Sequence, residues 1–294
     1  MKKQAIFIFL LLLFFTGFSQ TKLQYNLTTG DSFSLHQDAE QIITQDISGN
    51  KQIIINKISA DISFLVTKEE SDLLYIELKY KTFKMKINSP TLGDLMNIDT
   101  SINPKPNDIQ GLIFQGLINS PITIVMQKNG KINALEGADS LFDSMIKSAN
   151  ITDPATIKKI RATLNKQWGN KELIASFEQM TFIYDANKGI IGDIWENEYI
   201  GKMKSKNKWE ITTINNESTT VTGIADVEMS NTDDNVTIIV TGSQKSEIIV
   251  NNKTGVLKEG ITEGICKGHT LIPAMGDTKI PTSIEFKNNY KTIK

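Results

Sequence analysis

Two histidines, one cysteine and a scatter of carboxylates are the side chains in this 294-residue sequence best suited to acid–base, nucleophilic or metal chemistry. His36 and His269 fall in opposite halves. Neither has a ligand-like spacing, and the chain lacks HExxH, CxxC, a GxSxG elbow and a GxxxxGK phosphate loop. A zinc site would need both histidines and several carboxylates gathered by the fold. Cys266 and His269 form the string CKGH. On a helical turn that spacing would pair a thiol with an imidazole, but Gly264 and Gly268 flank it and predict a loop. Asp31 and Asp193 stand out because each follows a glycine. A carboxylate so placed accepts nearby backbone N–H groups, so both are expected to shape turns. Glu69, Glu70 and Asp72, and Asp233 with Asp234, read as acidic turns lacking the glycine-punctuated spacing of a calcium loop. Trp195, Trp209 and Tyr199 would suit a sugar or apolar site, or a core. No catalytic, cofactor-binding or metal-ligating residue is assigned from the sequence, and no cofactor is expected. A hydrolase using a carboxylate pair remains a distant alternative.

Charge and cysteine content narrow the classes further. Arg161 is the only arginine, and the lysines are interleaved with acids rather than blocked together. Bidentate readout of phosphates and bases leans on arginine, so no nucleic-acid partner is expected. A single cysteine rules out an intramolecular disulfide, and Cys266 is expected to be a small buried hydrophobe.

The N-terminus reads as an export signal. Lys2 and Lys3 precede an unbroken apolar run from Ala5 to Phe15, and Thr16 to Ser19 provide a small, polar exit. A helix over that run would be about 16 Å long, too short for a bilayer core of about 30 Å. No cysteine follows it, so a lipid anchor is not expected. The mature chain is expected to begin near Gln20 or Thr21, to carry no transmembrane segment, and to reside in the periplasm or outside the cell.

Elements that would position any site follow from the periodicities. Residues 23–27, 33–35, 42–47, 53–58 and 62–66 alternate apolar and polar side chains between polar turns, the pattern of an antiparallel meander with one wet face. In LLYIELKYKTFKMKI, Leu74, Ile76, Leu78 and Tyr80 share one face, and then the phase slips to Phe83, Met85 and Ile87. A strand cannot change its buried face without an extra residue, so a bulge is expected near Lys81-Thr82. Asp108 is expected to cap a short helix, with Ile109 facing inward. Residues 122–126 and 132–135 read as a hairpin across Lys128-Asn129-Gly130. Three helices follow, with Asp153-Pro154 as cap and first turn of the second. After Thr181 the chain returns to strands. GDSF at 30–33 is echoed by GDIW at 192–195, and IVMQKNG at 124–130 by IVNNKTG at 249–255.

The expected fold is α+β and predominantly antiparallel β, with two strongly curved sheet lobes, a possible duplication, and central helices packed on them. Its divisions are a signal peptide over 1–20, a first lobe over 21–136, a helical insert over 137–180 and a second lobe over 181–294.

YNLTTGDSFSL at 25–35, QDI at 45–47, KYKTFKMKINSP at 79–90, GKINALEGADSLFDSMI at 130–146, FEQM at 177–180 and the GDIW segment resemble an uncharacterised family of exported proteins from Bacteroidota, a domain of unknown function. The resemblance implies an envelope or secreted location and carries over no site residues. Curved sheets with helices are also similar in architecture to periplasmic carriers of lipids and lipoproteins. A carrier would show an elongated apolar cavity lined by residues such as Leu78, Tyr80, Phe83 and Met85. A structural or protein-interaction module of the envelope would show a solid core and an exposed edge. The partner is therefore expected to be a lipid or lipoprotein-like ligand, or another envelope protein.

Overall fold

A computed structural model describes residues 22–233, 236–276 and 278–294. The signal segment read at residues 1–20 lies outside the described residues. The chain enters the middle of one large antiparallel sheet and meanders outward through β1 (Ser32–Ile47), β2 (Asn50–Glu70) and β3 (Leu73–Ser89) to β5 (Ile122–Gln127) and β6 (Ile132–Glu136). The short β4 (Gly93–Asp99) pairs beside β5 on the same edge of β3. Helices α1 (Ile109–Gln115), α2 (Ala138–Ser148), α3 (Pro154–Trp168) and α4 (Asn170–Thr181) interrupt the strands. The chain re-enters at the opposite edge with β7 (Ile194–Tyr199) and returns inward through β8 (Met203–Ile214), β9 (Ser218–Asp233), β10 (Val236–Asn251), β11 (Leu257–Leu271) and β12 (Lys279–Ile293). The two halves expected as separate lobes are thereby one sheet of 12 strands, joined where β1 pairs with β12 from Ser34↔Ile293 to Gln45↔Thr282.

The strands are longer than the apolar runs alone suggest. Residues 33–35 and 42–47 belong to one strand, because the polar stretch between them keeps its ladder to Asp61–Lys57 on one side and Lys291–Lys287 on the other. The expected bulge is present. The β2–β3 register steps from Asp61↔Thr82 to Ile62↔Tyr80, leaving Lys81 as the extra residue. That slip keeps Leu78 and Phe83 both inside, at 0% and 4% exposure. Capping follows the sequence as well. Asp108 accepts the Gly111 N–H and Asp153 accepts the Thr156 N–H, each satisfying a first-turn donor. Ile109, expected to face inward, is exposed instead. α4 takes Gly169 rather than Asn170 as its N-cap.

Because β6 and β7 are the two edges and the helices join them in sequence, the connection must cross from one edge to the other. It does so with α4. Glu178 Oε1 accepts the free edge N–H of Ile132 on β6 at 2.9 Å. On β7, Trp195 Nε1 donates to the Ile183 carbonyl at 3.0 Å, and Asn197 and Tyr199 both donate to the Phe182 carbonyl, immediately after α4. The sheet is rolled, and α4 with the segment behind it spans the gap between its edges.

The roll is solid at one end. Leu74, Ile76, Leu78, Ile122 and Ile124 of the strands meet Leu141, Phe142 and Met145 of α2 and Phe177 of α4 in one core cluster. Residues 22–28 and 182–188 run across this end. Tyr25 N–H donates to Lys128 O and Asn26 N–H to Thr254 O, while the Tyr184 hydroxyl donates to Gly255 O. The hairpin turns at 128–130 and 252–255 are thus tied together by the same two crossing segments. Tight curvature requires inward-facing glycines. At Gly223 a Cβ would lie 2.5 Å from the Trp209 ring, and at Gly264 it would lie 2.5 Å from the Phe286 ring. Trp209 cannot retreat, since it is 2% exposed and its Nε1 is held by Asn197 Oδ1 at 3.0 Å. Gly223→Ala is therefore expected to destabilise the protein by about 1–3 kcal/mol as an overpacked site, although alanine normally improves on glycine in a strand. A lower urea midpoint at unchanged m-value would show it.

Candidate functional site

Away from the helix-covered end, the interior of the roll narrows to a small second cluster of Val227, Val240, Cys266, Ile284 and Phe286. Beside it lies a hollow of about 560 Å³. Alternation along the strands places its apolar lining on the inner face: Ile58 of β2, Met85 of β3, Met203 of β8, Met229 of β9, and Ile284 and Phe286 of β12. Met85 and Met203 come from strands far apart in the sheet order, and Gln179 of α4 joins them. The hollow is therefore a half-open space formed between strands brought together by the rolling of the sheet, and is not a groove along one strand. Its size falls within the range of about 300–1,000 Å³ usual for ligand pockets. Three flexible methionines suit the walls of such a site, since thioether side chains adapt to irregular apolar shapes.

Polar groups gather at the same hollow. Asn56 donates to Gln41 Oε1 at 3.1 Å, while its own Oδ1 is buried without a partner among the described residues. Lys202 Nζ donates to the Lys166 carbonyl at 3.2 Å. Glu40 is held by Lys57 at 2.5 Å. Deeper in the roll, Gln244 donates to Asn207, which donates to Asn197, forming a buried amide chain on β10, β8 and β7.

Of the four residues expected to line a cavity, only Met85 does so. Leu78 and Phe83 are packed in the core, and Tyr80 is half-buried against Phe83. The lining from β8, β9 and β12 and the lysine at 202 carried no motif. Their only signal was alternation, which marks a face without saying what stands opposite. Trp195, Trp209 and Tyr199 are core residues whose polar atoms all bond within the fold.

The residues read for catalysis or metal binding are kept apart. His36 lies opposite Lys291 and His269 opposite Pro281, ten positions away along β12, or about 33 Å. Cys266 and His269 belong to strand β11, not to the expected loop; three residues apart in a strand, they point to opposite faces. The glycines on either side serve close strand packing. Among the described residues no group of acids, histidines and cysteine could hold a metal ion. Asp31 accepts the Thr28 N–H, and Asp193 accepts those of Gly189 and Ile190, which makes both of them turn formers. Glu69 is paired with Lys128 and Glu70 with Lys68. The reading of Asp233-Asp234 as an acidic turn lies outside the described side chains.

Two titrations have defined directions. Burial pushes the Cys266 thiol up, so it is expected to resist thiol reagents in the native protein and to react only on unfolding. His36, on the outer face, bridges Asp61 at 2.6 Å and Asp38 at 3.0 Å, and these hydrogen bonds raise its pKa above the ordinary value. A raised folded-state pKa contributes stability that is complete below the unfolded value and lost as pH rises through the folded one. The stability difference between the native chain and His36→Gln is accordingly expected to shrink as the pH rises above the ordinary histidine value of about 6.5, as urea titrations at several pH values would measure.

The chain belongs to a family of unknown function, DUF6263, whose model matches residues 71–257. The match runs from β3 through the helices to the start of β11. No curated protein matches the sequence. In fold the chain is similar to lipovitellin, in a structure concerned with its lipid–protein interactions, with a TM-score of 0.51 at 10% identity over 91% of this chain and 25% of that one. The chain thus spans about a quarter of the lipovitellin chain it matches. Looser superpositions relate it to DynF from the dynemicin biosynthesis pathway of Micromonospora chersina, with a TM-score of 0.23 at 5% identity over 92% of this chain and 84% of that one. An outer membrane channel from Pseudomonas putida F1 gives a TM-score of 0.26 at 6% identity over 92% and 97% of the two chains. Of these three, the lipovitellin likeness is the one close enough to describe a shared fold. Among the described residues no helix is long and apolar enough to cross a membrane.

Proposed function

We propose that this protein is exported to the periplasm or cell exterior of a member of the Bacteroidota, and that it holds an apolar or amphiphilic ligand in the rolled sheet without transforming it. The observation that carries this reading is the apolar hollow of about 560 Å³ between Met85 and Met203. A hydrophobic hollow of that size forgoes packing that a solid core would have, and each methylene buried in it contributes about 0.8 kcal/mol. The lipovitellin-like fold agrees with a lipid-holding role, and the leader at residues 1–20 with export. The separation of His36 from His269 and the turn roles of Asp31 and Asp193 support a binding reading over a hydrolytic one.

Two further features belong to this reading. The Gly30-Asp31 and Gly192-Asp193 turns make the same pair of hydrogen bonds to the following strand, through Val66 in one case and Ile211 in the other. The echoed hairpin turns at Gly130 and Gly255 each join the fourth and fifth strands of the main path in their half, so the sheet is taken to be a duplication fused at β1 and β12. The alternative role, an envelope module that binds another protein, is favoured by the short strand β4 and the turn before it, where Leu95 and Leu92 stand 49% and 68% exposed.

Expression of the whole chain in a periplasmic host, followed by native mass spectrometry and lipid extraction, tests the proposal. The expected result is cleavage near Gln20 or Thr21 and an acyl species co-purifying in stoichiometric amount. Met85→Trp, which fills the hollow, should abolish that species while leaving the fold intact by circular dichroism. An unaltered lipid complement in this variant would place the ligand elsewhere and sink the proposal.

A further inference from the structure

We infer that the ligand is a single-chain amphiphile with an anionic head, and that Lys202 receives the head; this rests on the binding role proposed above. Volume limits the tail. A methylene group takes about the space of one liquid water, roughly 30 Å³. The hollow of about 560 Å³ corresponds to roughly eighteen such groups, about the volume of one long acyl chain.

Charge selects the head. Two ionisable residues line the hollow, Glu40 and Lys202. Glu40 is already neutralised by Lys57 at 2.5 Å. Lys202 has no carboxylate partner among the described residues and makes one hydrogen bond, to the Lys166 carbonyl. An ammonium has three donors, so two remain for a ligand. The position suits the task. Lys202 follows Gly201 directly before β8 and lines the hollow beside Met203, where a lysine stem can cover apolar surface while its ammonium stays in water. Gln41, Asn56, Gln179, Asn231 and Asn288 complete a rim of amides. Amide N–H groups of this set can supplement the lysine toward an oxyanion.

A carboxylate and a phosphate monoester share this chemistry, so a fatty acid and a lysophosphatidate are both admitted. A neutral ester or alcohol of the same chain is disfavoured, because it would cover Lys202 without offering a countercharge. The geometry asks for nothing that breaks a bond.

The test is displacement of a fluorescent fatty-acid probe from the delipidated full chain by palmitate, methyl palmitate, palmitoyl lysophosphatidate and a dipalmitoyl phosphatidate, each below its aggregation threshold. Palmitate or lysophosphatidate is expected to bind about tenfold or more tightly than methyl palmitate, consistent with a charge-assisted hydrogen bond. The better of those two identifies the head, and the diacyl lipid should compete poorly. Lys202→Met should reduce palmitate to the level of methyl palmitate without altering the ester, and Lys202→Arg should restore most of the difference. Equal affinity for acid and ester, or an unchanged preference in Lys202→Met, would overturn the anionic head while leaving a binding role intact. Strong competition by the diacyl lipid would overturn the single chain. Failure of every acyl compound, probe included, would overturn the binding role itself.

Discussion

A sheet whose chain begins and ends in the middle must leave its free edges at the point where the two halves of the sequence meet. Here those edges are β6 and β7, and the polypeptide between them is the helical segment. Unpaired strand edges expose rows of N–H and C=O groups, which are costly inside a fold and invite aggregation outside it. α4 meets this constraint by lying between the edges. The Glu178 carboxylate takes an N–H from β6, and the carbonyls just past the helix take the side-chain donors of β7. Burial raises the pKa of Glu178, which shows how far this edge contact is withdrawn from water. The roll, and everything inside it, depends on that bridge.

The helices cover only part of the roll, and the interior is graded accordingly. Where α2 and α4 face the strands, large side chains such as Phe142, Phe177 and Trp209 fill the space to near-zero exposure. Beyond their reach the inner face offers Ala39, Gly242 and Gly264 beside flexible methionines, and the two walls do not meet. One architectural decision, a short set of helices over a long sheet, yields both a rigid closed end and a hollow open one. Curvature has a similar origin. Inward glycines let Trp209 and Phe286 lie against backbone, and bulges such as the one at Lys81 bend the strands while preserving which face is buried.

Much of the local structure was legible because its causes are local. A phase slip between Tyr80 and Phe83 can only be a bulge, and an aspartate three residues before a free N–H is a cap wherever the helix docks. The hairpin at Lys128–Gly130 is written in its turn residues. The strand lengths were not legible. The polar stretch from Gln37 to Gln41 looks like a break until its ladder partners, 15 residues away on β2 at the nearest and some 250 residues away on β12, are in place. The glycines around Cys266 likewise resemble a loop in sequence and become strand once Ile239 and Phe286 pack against them.

By itself, then, the sequence determined what each segment must bury and where the chain turns: the predominance of antiparallel strands, the helix caps, the bulge and a buried cysteine. Periodicity fixes which face of a strand is apolar, and that is a property of neighbouring residues. Only the tertiary structure decided that the two halves share one sheet, that its edges are bridged by α4, and that Met85, Met203, Phe286 and Lys202 surround a common hollow. Those are relations between residues as far apart as Ser34 and Ile293. They are set by long-range ladder pairing and by the angle through which a glycine-rich sheet curls, and neither leaves a mark on any single stretch of sequence.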